Sequence, residues 1–294
     1  MKAPVVLSIG EVLWDLLPGG PQLGGAPANF VVHAHALGAE GLLISRVGDD
    51  ELGRDAFRRL SERGVDLTGV GVDASLPTGR VTVEVAADGQ PRFTIQEQVA
   101  WDAIVAGPDV LASAARADVV CFGSLAQRDA RSRAAVRACL GAVRPGTLRV
   151  FDINLRAPFY SADVVEASLG MADVLKLNET ELPVLAGWFG LRGGPEEQLE
   201  TLAQRFGLKV VAWTLGAAGS RLYRDGRWTA EPGRTVPVVD AVGAGDSYTA
   251  ALVLGLLRGW PTERILKAAT DIAAFVCTRA GATPELDSGL LPEA

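Results

Sequence analysis

The 294-residue chain is poor in cysteine and histidine: it has three cysteines, Cys121, Cys139 and Cys277, and two histidines, His33 and His35. The cysteine count is odd and no CxxC spacing occurs, so neither a disulfide framework nor a thiolate metal site is expected. Cys121 and Cys277 sit in apolar runs and read as buried thiols, which suits a reducing, cytoplasmic compartment. The histidines lie two apart in the helical run VVHAHALG, point to different faces and make poor zinc ligands. A structural or surface role is expected for both. No uncharged apolar stretch of 18 residues exists, so no membrane span is expected. The opening MKAPVVLSIG is too short an apolar run for a signal peptide. Basic residues are outnumbered, 28 against 35 acidic, leaving a net charge of −7. That balance is poor for a nucleic-acid or anionic-membrane partner, although a local basic pocket could still hold phosphate. GxxxxGK[ST], HExxH and GxSxG are also missing, so the chain is not a P-loop protein and shows neither the helical zinc motif nor the nucleophile elbow.

What is present is an ordinary globular composition, 48% hydrophobic and 21% charged, with enough chain for one large domain or two modest ones. Short apolar runs at 4–9, 42–47, 118–122, 148–153, 173–177 and 209–214 read as strands. Amphipathic stretches such as 51–63 and 128–142 lie between them. This alternation predicts an α/β fold with a mainly parallel sheet covered on both faces. Two stretches break the rhythm. Residues 78–97 read as a hairpin with Asp88-Gly89 at its turn, and 11–23 as a second exposed extended piece. Together they predict a small half-open sheet, acting as a lid or as a contact surface for another subunit. After about Gly281 periodicity is lost and the chain is expected to trail over the surface.

Five polar, glycine-rich clusters fall at the ends of these strands, where ligands of open α/β sheets bind. In DAVGAGDSY (240–248), Gly243, Ala244 and Gly245 can gather backbone N–H groups at the start of a helix. Asp246 then falls in the first turn, suited to taking a proton from a hydroxyl while the amides hold phosphoryl charge. Alone, the motif is equally a plain acid at a helix N-terminus. In GGAPANF (24–30), Asn29 projects from an early helical turn and suits a polyol, with Asp15 as another hydroxyl acceptor. A tight strand-to-helix loop is the plainer reading there. DINLR supplies Asp152, Asn154 and Arg156. KLNETE supplies Asn178 and Glu181, placed to hold a magnesium-bound water, or in Glu181's case simply a helix N-terminal acid. TLGAAGS (214–220) could let backbone approach a nucleotide.

With these clusters in hand, the sequence resembles the PfkB, or ribokinase-like, family of carbohydrate kinases. The resemblance runs from SIGEVLWDL to TRAGA. GGAPANF is similar to the family's N-terminal signature, and DAVGAGDSYTAAL to its C-terminal one, often written DTxGAGD. It implies one α/β/α sandwich domain over 1–294 with a β lid formed by about 11–23 and 78–97. It implies in-line transfer of the ATP γ-phosphoryl group to a primary alcohol, with Asp246 as base and Gly243, Ala244 and Gly245 as anion hole. Asp15, Gly25 and Asn29 become sugar contacts, and Arg156 faces the sugar or the transferred phosphate. Asn178 and Glu181 match the NxxE motif linked to magnesium and phosphate, with Asn178 also near the nucleotide. Thr214, Gly216 and Gly219 match the nucleotide-binding TxGxxG. Relatives that bind potassium do so near this loop, which would involve Asp240 and carbonyls at Val242, Val276, Arg279 and Gly281. Ala241 and Val242 depart from the usual threonines, but a carbonyl needs no threonine. GEVLWDLLP, DINLR and KLNETE look most like the bacterial fructokinase branch, so fructose is the first expected substrate and 2-keto-3-deoxygluconate the second. A catalytically dead sugar-binding protein on the same fold is the reading from another class, and the intact GAGD speaks against it. Val81, Val83, Val85, Phe93 and Ile95 are expected to bury against a symmetric partner through the lid.

Overall fold

The computed structural model describes residues 2–17, 19–85, 91–286 and 290, with the side chains of 83–85 and 91–93 outside that description. The strands are β1 (Val5–Ile9), β2 (Leu13–Leu17), β3 (Gly20–Gly24), β4 (Glu40–Gly48), β5 (Asp66–Asp73), β6 (Gly79–Val85) and β7 (Pro91–Ile95). They continue with β8 (Val119–Phe122), β9 (Leu148–Asp152), β10 (Val174–Asn178), β11 (Val210–Thr214), β12 (Ser220–Arg224) and β13 (Arg227–Glu231). The helices are α1 (Ala26–Ala36), α2 (Glu51–Glu62), α3 (Pro108–Arg116), α4 (Ala130–Ala142), α5 (Ala162–Leu169), α6 (Leu182–Phe189), α7 (Pro195–Phe206), α8 (Ala244–Leu257) and α9 (Thr262–Cys277).

Nine strands form one sheet in the order β13-β12-β11-β10-β9-β8-β1-β4-β5, with β12 alone reversed, antiparallel to both β11 and β13. Its central strands are apolar on both faces because helices cover both. In β1, Val6 packs with α1, α8 and α9, while Val5, Leu7 and Ile9 pack with α3, α4, α5 and α7 on the other side. The expected three-layer α/β/α arrangement is therefore present. α8 has ten consecutive buried residues, Asp246 to Gly255, and so lacks the polar stripe of a surface helix.

The second sheet has the order β3-β2-β6-β7. Its β6–β7 pair is the expected hairpin, with Val81 opposite Ile95, although the Asp88-Gly89 turn lies outside the described residues. The 11–23 segment supplies β2 and β3, but it is less exposed than expected. Val12, Leu13 and Trp14 are buried, and the Trp14 indole donates to Leu52 O at 3.0 Å. Val81 is only 6% exposed and already packed within its own chain.

Several expectations need correction. Ala282 and Thr283, expected to trail over the surface with the chain after Gly281, are held down. Ala282 is 6% exposed, its carbonyl meets His33 Nε2 at 2.9 Å, and Arg63 donates to Thr283 O at 2.8 Å. Carbonyl partners anchor both, and these leave no periodic pattern in a sequence. The cysteines differ as well: Cys121 and Cys139 are buried, whereas Cys277 is half-buried. Both histidines have structural roles, His35 Nδ1 lying 3.1 Å from Ala39 O. Among the described residues no helix is long and apolar enough to cross a membrane.

Candidate active site

The chain leaves β1 first toward β4 and β5, then returns to lay β8 on the other side. That reversal opens a crevice at the carboxyl ends of β1 and β8, the position where open α/β sheets take ligands. The glycine loop before α8 borders it. Gly243 is left-handed (φ 80°), and a Cβ there would collide with the Ala282 carbonyl, so only glycine fits. It caps α8 without a side-chain hydrogen bond. Ala244 N donates to Ala241 O at 3.4 Å, and the amides that follow it in the first turn of this 14-residue helix face an outside acceptor, favoured by the helix dipole if it is an anion. A Cβ on Gly245 would lie 3.1 Å from Lys176 Nζ. The bare glycine keeps open a cradle between the helix start and an ammonium group.

Asp246 follows in the first turn of α8. It is 8% exposed and accepts from Asn29 Nδ2 at 2.9 Å. Burial, reinforced by the nearby Asp152 charge, pushes its carboxyl up to about 6, against the Asn29 hydrogen bond and the Lys176 and Arg156 charges. Lys176 lies opposite Asp152 in the β9–β10 register, and its Nζ is 3.0 Å from Asp152 Oδ1. Thr249 Oγ1 donates to Asp152 Oδ2 at 2.8 Å. Burial disfavours the Lys176 charge, but Asp152, Glu181 and Asp246 together hold its ammonium above its usual range. The Lys176 ammonium and the start of α8 are the groups here that can attract a phosphoryl oxygen, set among carboxylates that would repel it.

The N-terminal signature folds onto the same place. Gly25 (φ 108°) precedes α1, and a Cβ there would collide with the Glu11 carbonyl. Pro27 in the first turn fixes the helix start, which delivers Asn29 to Asp246. Asp15 lies on β2, where a Cβ on Gly24 would come 2.6 Å from its Oδ2. Partial burial raises its carboxyl, and Arg156 opposes that. Arg156 is exposed, donates to Leu155 O at 3.0 Å, and acts electrostatically on Glu11, Asp15 and Asp246.

Asn178 and Glu181 form a closed turn at the end of β10. Asn178 Oδ1 accepts from Thr180 N, Thr180 Oγ1 and Glu181 N at 2.7 to 3.1 Å. Glu181 accepts from Leu155 N and Asn178 N, both at 2.8 Å. Burial raises the Glu181 carboxyl, and the Lys176 charge opposes it. Among the described residues no group of three or more Asp, Glu, His or Cys is arranged for a metal. With their oxygens turned onto the backbone, these two fit magnesium only through the ion's own waters.

Thr214 pairs with Asn178 across β10–β11, and its hydroxyl reaches Leu177 O at 3.3 Å. Gly216 has φ 53° and Gly219 φ 99°. Gly219 has a packing reason to be glycine, since a Cβ would strike the Glu231 carbonyl on β13. Asp240 ties its loop together, accepting from Val242 N at 3.0 Å and Gly281 N at 3.1 Å. The Val276 carbonyl accepts from Arg279 N at 3.0 Å. The structure thus gathers Gly25, Asn29, Gly243, Ala244, Gly245 and Asp246 at one point, with Asp15 and Arg156 facing them. The Thr214–Gly219 loop flanks the Asn178 turn rather than touching Asp246, and the Asp240–Gly281 contact lies behind the glycine loop.

Three site residues escaped the sequence reading: Lys176, Thr249 and Glu11 as a side chain in its own right. A signal for Lys176 existed. A lysine inside the buried parallel run VLKLN is anomalous and calls for a buried partner.

A model described as pfkB family carbohydrate kinase matches residues 21–288. A fructokinase of Klebsiella pneumoniae is 32% identical over 90% of this chain and 88% of its own. A putative sugar kinase of Pyrococcus horikoshii is 30% identical over 96% of this chain and 94% of its own. Its crystal structure in complex with ATP aligns with a TM-score of 0.79 at 29% identity, covering 95% of each chain. A Vibrio cholerae fructokinase solved with fructose, ADP and calcium aligns at 0.78 and 25% identity, covering 98% of this chain and 96% of that one.

Proposed function

Because the chain belongs to the pfkB family of carbohydrate kinases, we propose that it carries the γ-phosphoryl group of ATP to the primary hydroxyl of fructose, giving fructose 6-phosphate and ADP. The observation that carries the mechanism is Asp246, a buried carboxylate held by Asn29 beside the uncapped start of α8. Asp246 takes the proton of the acceptor hydroxyl as its oxygen bonds to phosphorus and the bond to ADP breaks. The amides of Gly243, Ala244 and Gly245, with Lys176, hold the charge on the transferring group. Asp15 and Asn29 orient the acceptor. Thr214 and Gly216 border the nucleotide. Magnesium, near Asn178 and Glu181 and bridged by water, would neutralise the triphosphate. The Asp240 loop with the Val242, Val276, Arg279 and Gly281 carbonyls is the place for potassium, where it would stiffen the glycine loop.

Fructose is favoured by two relatives, the Klebsiella fructokinase and the Vibrio fructokinase solved with fructose. The second reading, 2-keto-3-deoxygluconate, rests on Arg156 as a grip for a carboxylate. Arg156 already faces Glu11, Asp15 and Asp246, which weakens that grip. We take residues 1–294 as one kinase domain, with the four-stranded sheet closing over the crevice and its edge available to a second copy. The test is ADP release from ATP and magnesium against fructose, ribose, 2-keto-3-deoxygluconate, glucose, tagatose and a nucleoside, with Asp246→Asn alongside. Turnover on fructose that the variant loses is expected. Turnover on another sugar would replace the substrate, and activity surviving in Asp246→Asn would remove the base.

A further inference from the structure

Glu11 takes no part in the mechanism above, yet it is placed where an idle carboxylate is costly. It follows β1, is 4% exposed, and its Oε2 is buried without a hydrogen-bond partner. Ser8 on β1 is in the same condition: it is 0% exposed and its Oγ has no partner. The other residues of β1 are valine, leucine and isoleucine, and a methyl group in place of the serine hydroxyl would pack at least as well. Both orphaned residues line one cavity of about 20 Å³, which Asp152, Asn154 and Asp246 also border. Such a volume holds about one water molecule or one hydroxyl group. Two buried polar atoms left open to one polar space need a partner that the folded chain does not supply.

The Glu11 side chain is also fixed. The backbone N–H groups of Glu11 and Ala26 act on its carboxyl, and the main chain that carries it packs closely on Gly25, where a Cβ would strike the Glu11 backbone carbonyl. A carboxylate held this way against the start of α1 makes a rigid receptor for a hydroxyl, not a mobile surface acid.

Resting on the sugar-kinase reading, we infer that Glu11 and Ser8 form a specificity subsite at the floor of the acceptor pocket, receiving a second hydroxyl of the acceptor while Asp246 faces the one that reacts. The subsite also sets the acceptor class. Glu11, Asp15, Asp152 and Asp246 make a carboxyl-rich wall, and Arg156 and Lys176 are already engaged with it. A neutral polyol satisfies such a wall by hydrogen bonding, whereas a sugar acid adds one more negative charge to it.

Single-deoxy analogues of whichever sugar the wild type phosphorylates, run against Glu11→Gln, Glu11→Ala and Ser8→Ala, test this. A site built to bind a hydroxyl rejects the analogue lacking it strongly, so one deoxy analogue should lose about 100-fold or more in kcat/KM with the wild type. In Glu11→Ala that penalty should shrink to about fivefold or less, because the contact is already gone. Glu11→Gln, nearly isosteric, should raise the sugar KM about tenfold with the ATP KM within about twofold. Melting midpoints monitor folding, and if Glu11→Ala fails to fold, Ser8→Ala with the same analogue decides. Deoxy penalties unchanged in the variants, or sugar and ATP KM values moving together, would mean that the cavity holds only a structural water and would overturn the subsite. A wild type that turns over no sugar would sink the kinase reading and the subsite together. A working wild type with unmoved variants sinks the subsite alone.

Discussion

At the amino ends of β9 and β10, Asp173 accepts from Arg149 N and Nε at 3.0 and 2.8 Å, and Lys209 Nζ lies 2.9 Å away. Burial works against that charge, but Arg149 and Lys209 hold the carboxyl below its usual range. At the carboxyl ends of the same strands, Asp152 and Asp246 share Lys176 with Glu181, and Asp246 is left with Asn29 and a pKa of about 6. One cluster has cations to spare and the other has too few. The first is saturated and can only hold strands together. The second keeps proton affinity in reserve, which is what a base requires.

Breaking the site end should give the largest effect. Asp246→Asn is expected to lower kcat by about 10²–10⁴-fold, the usual worth of a positioned general base, with little change in melting temperature. A variant that keeps kcat within tenfold would erase the contrast between the two ends. Breaking the other end should do the reverse. Asp173→Asn should lower unfolding stability by about 1.5–3 kcal/mol, the range for hydrogen bonds to a charged group, and leave kcat within about twofold. Denaturant melts beside steady-state rates measure both.

A pH series sharpens the comparison. Asp246 must be ionised to accept a proton, so kcat/KM should be flat above its pKa of about 6 and fall tenfold per unit below it. A profile flat down to pH 5 would contradict this. Removing the Asp152 charge by Asp152→Asn takes away a neighbour that raises the Asp246 pKa. The acidic limb should then move to lower pH, by about one unit or less. A limb that stays put or moves up would mean that Asp152 does not tune the base.

The reverse pattern of legibility follows from the same contrast. GGAPAN and GAGD could be read directly, because their chemistry sits in consecutive residues where backbone conformation and side chain are specified together. The alternation of apolar strands with helices was equally visible. Lys176 and Glu11 were not, because their meaning depends on partners supplied by other strands. Asp152 is 24 residues from Lys176, and only the parallel register makes them neighbours. β12 (SRLYR) and β13 (RWTAE) escaped for a different reason. They are half-exposed antiparallel strands at one end of the sheet, so they lack the continuous apolar run that marks β1 or β11. The anchoring of Ala282 and Thr283 rests on their carbonyls, which every residue possesses.

The burial of α8 on all sides has a consequence for how such a protein can change over evolutionary time. Asp246, the proposed base, is mounted on a helix without a solvent face and cannot be re-aimed without repacking the core around it. Asp15, by contrast, sits on β2 of the small sheet at the edge of the crevice. New acceptors can therefore be acquired by altering that rim one residue at a time, while the phosphoryl-transfer machinery is inherited intact.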